Sequence, residues 1–447
     1  MITPKAYIDL YHEYESVIRA SSGDLLNAPR SAAFQSFERI GFPSTSMEAY
    51  KDCDLKPILE TDFGMNLRQL DIPVNPQEVF SCEVPNLSTN LIFLINDQFY
   101  QGDKPHHLPE GVLCGSLKEM GKTHQALLAP YFATLSATSN DGMVHFNGGF
   151  VQDGFVLYVP ANMHLEKPIQ VINVLKAPED MLVQRRILVI LETGAHARLL
   201  LCDHNLSGNH MMANQVAEVF VGDSASLEYY ELEMNNQVTT RVSNTFFRLE
   251  SASTLRMNQV VLSNGFTRNN ATITLIGEGA EANLSGVVLG ERNQFTDNHV
   301  LVDHAVPHCT SNQLYKYVLD DTSNGVFGGS ILVRGDAQKT KANQSNKNLC
   351  SHSARMRARP QLEIYADDVV CSHGSATGQM DENALFYMRS RGISAEEAKL
   401  LLKYAFTTDV IDTISLAPLR DRMRMLVEKR FRGELINCAG CAASNCH

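Results

Sequence analysis

Thiols and imidazoles are the side chains here whose type and spacing could do chemistry. Cys371-Ser372-His373 follows the strand-like run LEIYADDVV, and residues two apart in a strand project to one face. The thiolate and the imidazole can therefore meet one iron or one sulfur species together, both being ligand types suited to iron–sulfur chemistry. The competing reading is a buried thiol beside a hydrogen-bonded histidine. Cys350-Ser351-His352 repeats the triplet 21 residues earlier without a comparable strand signal and is read as structural. His299, Asp303, His304, His308 and Cys309 fall in loop-like surroundings that fix no geometry, and they too are read as structural or surface groups. Near the end, Cys438, Cys441, Cys446 and His447 place four metal-capable side chains within ten residues. They could close a tetrahedral metal site or belong to an unstructured tail.

Gly115 to Thr123, GSLKEMGKT, looks like a phosphate loop but has five residues between its glycines, where the motif has four. Its bulky residues read as helix, whereas a phosphate loop needs successive backbone N–H groups converging on an anion. Neither a dinucleotide fingerprint nor a nucleophile elbow occurs. The expectation is a non-catalytic chain, with any ATP hydrolysis on a partner.

The elements that must position these groups follow from periodicity. Tyr7, Leu10, Tyr11, Tyr14 and Ile18 recur at helical spacing, and Pro29 opens a second helical segment ending near Gly41. LIFLINDQFY, from Leu91, reads as a strand and turn, and Ser116 to Ala133 as helical. From about Phe146, short apolar runs alternate with Gly, Asn, Asp and Ser turns for over 200 residues. A small-residue turn recurs at Ala195-His-Ala197, Ser224-Ala-Ser226, Ala252-Ser-Thr254 and Ala280-Glu-Ala282, at intervals of 28 or 29 residues. Further steps of 28 reach His308-Cys309-Thr310 and Asp336-Ala337-Gln338. A fixed period of that length marks a solenoid, here a β-helix of roughly seven or eight coils at about 4.8 Å spacing. A sandwich or barrel with regular turns is the alternative.

Helical texture returns after Gly378. Asp381 can cap one helix, Ser394-Ala-Glu-Glu397 is a capping box, and Pro418 starts a third helix. Leu419, Met423, Leu426, Val427 and Phe431 form its apolar stripe, expected to dock an ATPase. Arg420, Arg422, Arg424, Lys429 and Arg430 form the opposite face, a solvated surface or a docking surface. The expected organisation is mainly β: an N-terminal helical domain (1–85), a mixed α/β connection (86–145), a right-handed parallel β-helix core (146–378), a C-terminal helical domain (379–435) and a Cys-rich tail (436–447).

The formal charge of −12 argues against nucleic-acid and anionic-membrane partners. The first twenty residues carry acidic groups and no apolar run, so neither a signal peptide nor an anchor is expected and the cytoplasm is the expected compartment. Ten scattered cysteines fit reduced thiols.

GGSILVRGDAQKTKANQSNKNLC, followed by PQLEIYADDVVCSHGSATGQMDENALFYMRSRGIS, resembles the signature region of the SufB/SufD family of iron–sulfur cluster assembly scaffolds. Cys371-Ser-His373-Gly resembles the SufD branch, since the SufB branch usually has an acidic residue before the histidine. The earlier segment from Gly41 to Leu55 is similar to the family's, although Ala49 and Tyr50 alter its usual aromatic pattern. The resemblance is strong over about 327–406 and faint elsewhere. It implies a β-helix between helical domains, pairing with SufB, two copies of the ABC-type ATPase SufC held by C-terminal helices, and a transient cluster at an interface containing His373 and Cys371. It also brings a reduced flavin, for which no residue is indicated. Whether the chain alone forms a homodimer stays open. Two rivals are a cytoplasmic metal-binding protein, which would need no partner, and a carbohydrate-active β-helix enzyme, which would normally be exported and carry acidic clusters on its coils.

Overall fold

The computed structural model describes residues 4–70, 72–74, 87–100 and 108–434. Four helices come first: α1 (Pro4–Ser22), α2 (Asp24–Asn27), α3 (Arg30–Ile40) and α4 (Lys56–Leu59). Gly41 ends α3 with φ at 71°, a left-handed conformation that glycine adopts at little cost. Then come β1 (Asn90–Ile95), β2 (Gln98–Tyr100), β3 (Leu113–Ser116), α5 (Leu117–Thr123), α6 (Gln125–Leu128) and α7 (Gly142–Phe150). The would-be phosphate loop is thus the end of β3 and a helix capped by Ser116, whose hydroxyl accepts from Glu119 N–H at 3.1 Å.

The solenoid opens with β4 (Phe155–Val159), β5 (Ile169–Leu175), β6 (Met181–Leu191), β7 (His196–Asn205), β8 (Met211–Val221), β9 (Ser226–Met234) and β10 (Thr239–Leu249). It continues through β11 (Thr254–Ser263), β12 (Phe266–Leu275), β13 (Glu281–Gly290), β14 (Phe295–His304) and β15 (Thr310–Leu319). It closes with β16 (Asn324–Val333), β17 (Lys341–Cys350), β18 (Arg355–Ile364) and β19 (Val370–Gly378). Odd strands from β5 to β19 form one sheet and even strands from β4 to β18 the other, every neighbour parallel. At the starting end, β2 pairs antiparallel with β1, and β3 with β4, so neither sheet begins on a bare coil. The fold is the mainly β, parallel solenoid with helices at both ends that the spacing predicts.

The recurring turn has a physical cause. Gly194, Ser224, Ala252, Gly279, His308 and Lys339 have positive φ between 53° and 75°. The residue after each, Ala195, Ala225, Ser253, Ala280, Cys309 and Thr340, is at most 1% exposed. The left-handed residue swings the chain between sheets, and the next side chain enters the narrow rim, where only a small group fits. The repeat therefore survives as residue size rather than identity.

The space between the sheets holds an apolar half, with Leu199, Leu227, Leu255 and Ala282 in one cluster. It also holds a polar half in which Arg185 and Arg241 pair with Asp203, and Arg241 also lies 3.4 Å from Glu231. Outside the even-strand sheet, Tyr7, Phe34, Phe37 and Phe146 of α1, α3 and α7 pack on Leu182, Met212 and Val242. The chain ends in α8 (Glu382–Ser390), α9 (Ala395–Ile411) and α10 (Ala417–Phe431). Asp381 caps α8 through Asn383 N–H at 2.9 Å, and Ser394 caps α9 through Glu397 N–H at 3.2 Å.

Candidate functional site

The strand register places Cys371 and His373 in the rows that face the solenoid interior. Ala282, Ser311, Ala342 and Cys371 stand opposite one another on β13, β15, β17 and β19, as do Leu284, Gln313, Gln344 and His373. The first three of each row are buried. In the last coil the same inward positions are uncovered: Cys371 is half-buried, and His373, Ser375 and Thr377 are exposed. The approach to this end is also increasingly polar. Gln344 donates to Gln313 Oε1 at 2.9 Å, in space left by Gly329, whose missing Cβ would lie 1.9 Å from Gln344 Nε2. Asn346 Oδ1 accepts from Ser375 at 3.2 Å, and Asn348 donates to Thr377 at 3.0 Å.

Cys371 and His373 thus share one face of an edge strand, with Cα atoms about 6.6 Å apart by strand rise. Cys371 packs beside Ile331, Val333, Ala337 and Ala342. Burial raises its thiol pKa, partly offset by a backbone hydrogen bond at Ala342. It is a thiol at neutral pH in the free chain, so ligation there releases a proton. The edge carries exposed apolar groups as well: Val370 is 71% exposed and Tyr365 68%.

The earlier triplet does not repeat this geometry. Cys350 is the buried last residue of β17, and His352 is exposed in the turn that follows. His304 points into the core, where its Nε2 lies 2.9 Å from Ser311 Oγ, while Asp303 pairs with Arg334 at 2.6 Å and His308 occupies a turn. Those groups do not converge. Cys438, Cys441, Cys446 and His447 lie outside the described residues, and among the described residues no cluster of three or more His, Cys, Asp or Glu could hold a metal ion.

The docking stripe requires a correction. Leu419, Met423, Leu426 and Val427 are 0–4% exposed and, with Phe431 beside them, join Leu200, Leu232, Leu262 and Leu289 in one apolar cluster. They fasten α10 to the odd-strand sheet and are no free surface in this chain. A helix stripe and a sheet's outer face satisfy one another, and the sequence shows only the stripe. The basic face is largely neutralised too: Arg424 pairs with Asp412 at 2.6 Å and Arg430 with Glu291 at 2.6 Å. Sequence reasoning also missed the tie between Asp52 and Arg359 at 2.6 Å, with Arg357 at 3.5 Å, which binds the N-terminal segment to β18. The alternation RMRAR on that strand was the available signal.

Fold and site together define a β-solenoid protein, finished at one end and, among the described residues, ending at the other in edge strands that carry a thiol and an exposed imidazole. Residues 173–406 match the family described as SUF system FeS cluster assembly, SufBD core domain, and residues 1–171 match the SufBD protein N-terminal region. A SufBD family protein of iron–sulfur cluster assembly from Synechocystis is 27% identical over 427 residues, covering 93% of each chain. The iron–sulfur cluster assembly protein SufD of Bacillus subtilis is 26% identical over 72% of this chain and 75% of its own length. SufD of Escherichia coli is 30% identical over 48% of this chain and 51% of its own. This chain belongs to the SufBD family and is a component of iron–sulfur cluster assembly. No helix among the described residues is long and apolar enough to cross a membrane.

Proposed function

We propose that this chain is a non-catalytic cytoplasmic scaffold subunit of the SUF machinery that pairs end to end with a SufB-like solenoid. The nascent cluster, as cargo, is built at the junction beside His373 and Cys371. The observation that carries the reading is the uncovered inward row of β19, since every coil before it buries the equivalent positions. Two open sheet edges invite strands from another chain, and pairing there would enclose the imidazole and the thiol in a shared site. The chain's own residues then do two things: His373 offers a ring nitrogen as ligand or proton carrier, and Cys371 gives up a proton on ligation.

ATP hydrolysis falls to a SufC-like partner held by the C-terminal helices through residues other than the covered stripe. The flavin implied by the resemblance supplies electrons when bound, but the polar, exposed last strand offers its ring no apolar slot.

The test is reconstitution of the purified complex followed by iron and sulfide quantification. His373→Ala should leave folding and assembly intact and cut cluster content several-fold, Cys371→Ser should give an equal or smaller loss, and His352→Ala should match the parent. Full cluster content in the His373→Ala complex defeats the assignment.

A further inference from the structure

At the other end of the solenoid from β19, the first turns stack two histidines. His164 and His196 are partners in an isolated parallel bridge, each placed two residues after a left-handed residue, Asn162 with φ at 59° and Gly194 with φ at 67°. Asn162 N–H donates to Thr193 O at 2.8 Å, His196 N–H to Met163 O at 2.8 Å and Leu165 N–H to His196 O at 2.9 Å. Gly194 permits this approach, since a Cβ there would stand 2.5 Å from Asn162 Oδ1. The two backbones are thus held in register, which sets side chains on neighbouring parallel strands about 4.8 Å apart.

The rings lie closer still, their centres 4.0 Å apart and their planes at 50° to one another. Both side chains are exposed. His12, His145, His304 and His308 each meet an oxygen of another residue, whereas among the described residues neither His164 nor His196 has a side-chain hydrogen-bond or ion-pair partner. Burial, then His164, then Arg198 lower the pKa of His196, so at neutral pH it is an uncharged imidazole with a lone pair to offer. Arg198 itself pairs with Glu228 at 3.5 Å. Further along the same row stand Ser226, Thr254, Glu281, Thr310 and Lys341, so within this row imidazoles meet only in the first two places.

We propose that His164 and His196 chelate one divalent first-row transition-metal ion, with water filling its remaining positions. Imidazole nitrogen suits Zn2+, Ni2+ and Cu2+, whereas Mg2+ and Ca2+ take oxygen. A metal about 2.0–2.1 Å from one nitrogen of each ring holds those nitrogens about 3 Å apart, and the exposed side chains reach that by turning about their own bonds. Two protein ligands leave the ion open to water and to exchange, so it comes and goes rather than forming a structural metal centre. From β7 to β19 the sheet takes six steps, about 29 Å, and the chelate does not depend on the cluster site at Cys371 and His373.

The probe is the Ni2+ chelate of nitrilotriacetate, whose two adjacent open positions favour paired imidazoles over single ones, titrated into the full chain by calorimetry at neutral pH. The difference between parent and variants separates this site from thiols elsewhere in the chain. Saturable binding of one chelate per chain with Kd below about 1 mM, lost in the variants, is expected. His164→Ala and His196→Ala, at exposed positions, should each weaken it at least about tenfold with the thermal unfolding curve unchanged. The double variant should bind no more weakly than either single one, because the two rings act as a unit. His352→Ala, in the exposed turn after β17, should match the parent. Absence of saturable binding up to about 1 mM, binding that either single substitution leaves unaltered, or losses that simply add in the double variant overturn the site.

Discussion

His304 points inward from β14 with 0% exposure, its Nε2 2.9 Å from Ser311 Oγ. Burial pushes its pKa down from 6.5 to about 4, against the opposing pull of Asp303. The folded chain holds this ring neutral, whereas the unfolded chain protonates it below its ordinary value. The contribution to stability is therefore complete above pH 6.5 and is lost as pH falls from 6.5 towards 4. The shift is worth about 3 kcal/mol at 1.36 kcal/mol per pH unit. Urea unfolding of the parent and of His304→Gln at pH 4.5 and 7.5 should show a smaller acid-induced loss in the variant by an amount of that order. Equal losses would mean that His304 does not carry the proton linkage. At this scale the same-face placement of Cys371 and His373 was legible in the sequence, because strand alternation alone puts them on one face. The buried pair of Asp297 with Arg268 was not, because it joins residues of two neighbouring strands.

The helical cover shows how an element can mislead. The stripe of α10 was correctly seen as apolar, and the outer face of the odd-strand sheet consumes it. Deleting the whole helical domain would strip the cover from that sheet, so a lost interaction would not locate a docking site. What the domain turns outward is α8, where Phe386 is 72% exposed and Tyr387 58%, the latter receiving a hydrogen bond from Arg391 at 2.7 Å. Exposed aromatic anchors typically dominate helix-mediated recognition. Phe386→Ser with Tyr387→Ser should leave stability within about 0.5 kcal/mol of the parent and abolish pull-down of the SufC-like ATPase proposed as partner. Undiminished pull-down would move the docking surface off α8.

In the whole molecule the two ends of the solenoid are unlike. The first is finished by antiparallel strands and helices, and the last leaves β18 and β19 as edges with Val370 exposed. A lysine on such an edge opposes strand addition, since its charge must be desolvated by the incoming strand. Val370→Lys should keep the fold and the unfolding midpoint of the free chain while preventing the complex with a second SufBD-family solenoid, as read by light scattering on a sizing column. A complex formed at parental yield would place the pairing elsewhere.

The sequence by itself determined the solenoid, its period, the helical ends with their caps, and the same-face pair on the last strand, because each rests on local spacing and turn chemistry. Only the tertiary structure decided which surfaces are spent and which are free. Whether the α10 stripe is core or contact and whether an inward row is covered both depend on neighbours about 30 or more residues away in sequence. Those neighbours are brought together by register and layer packing, which local patterns do not encode.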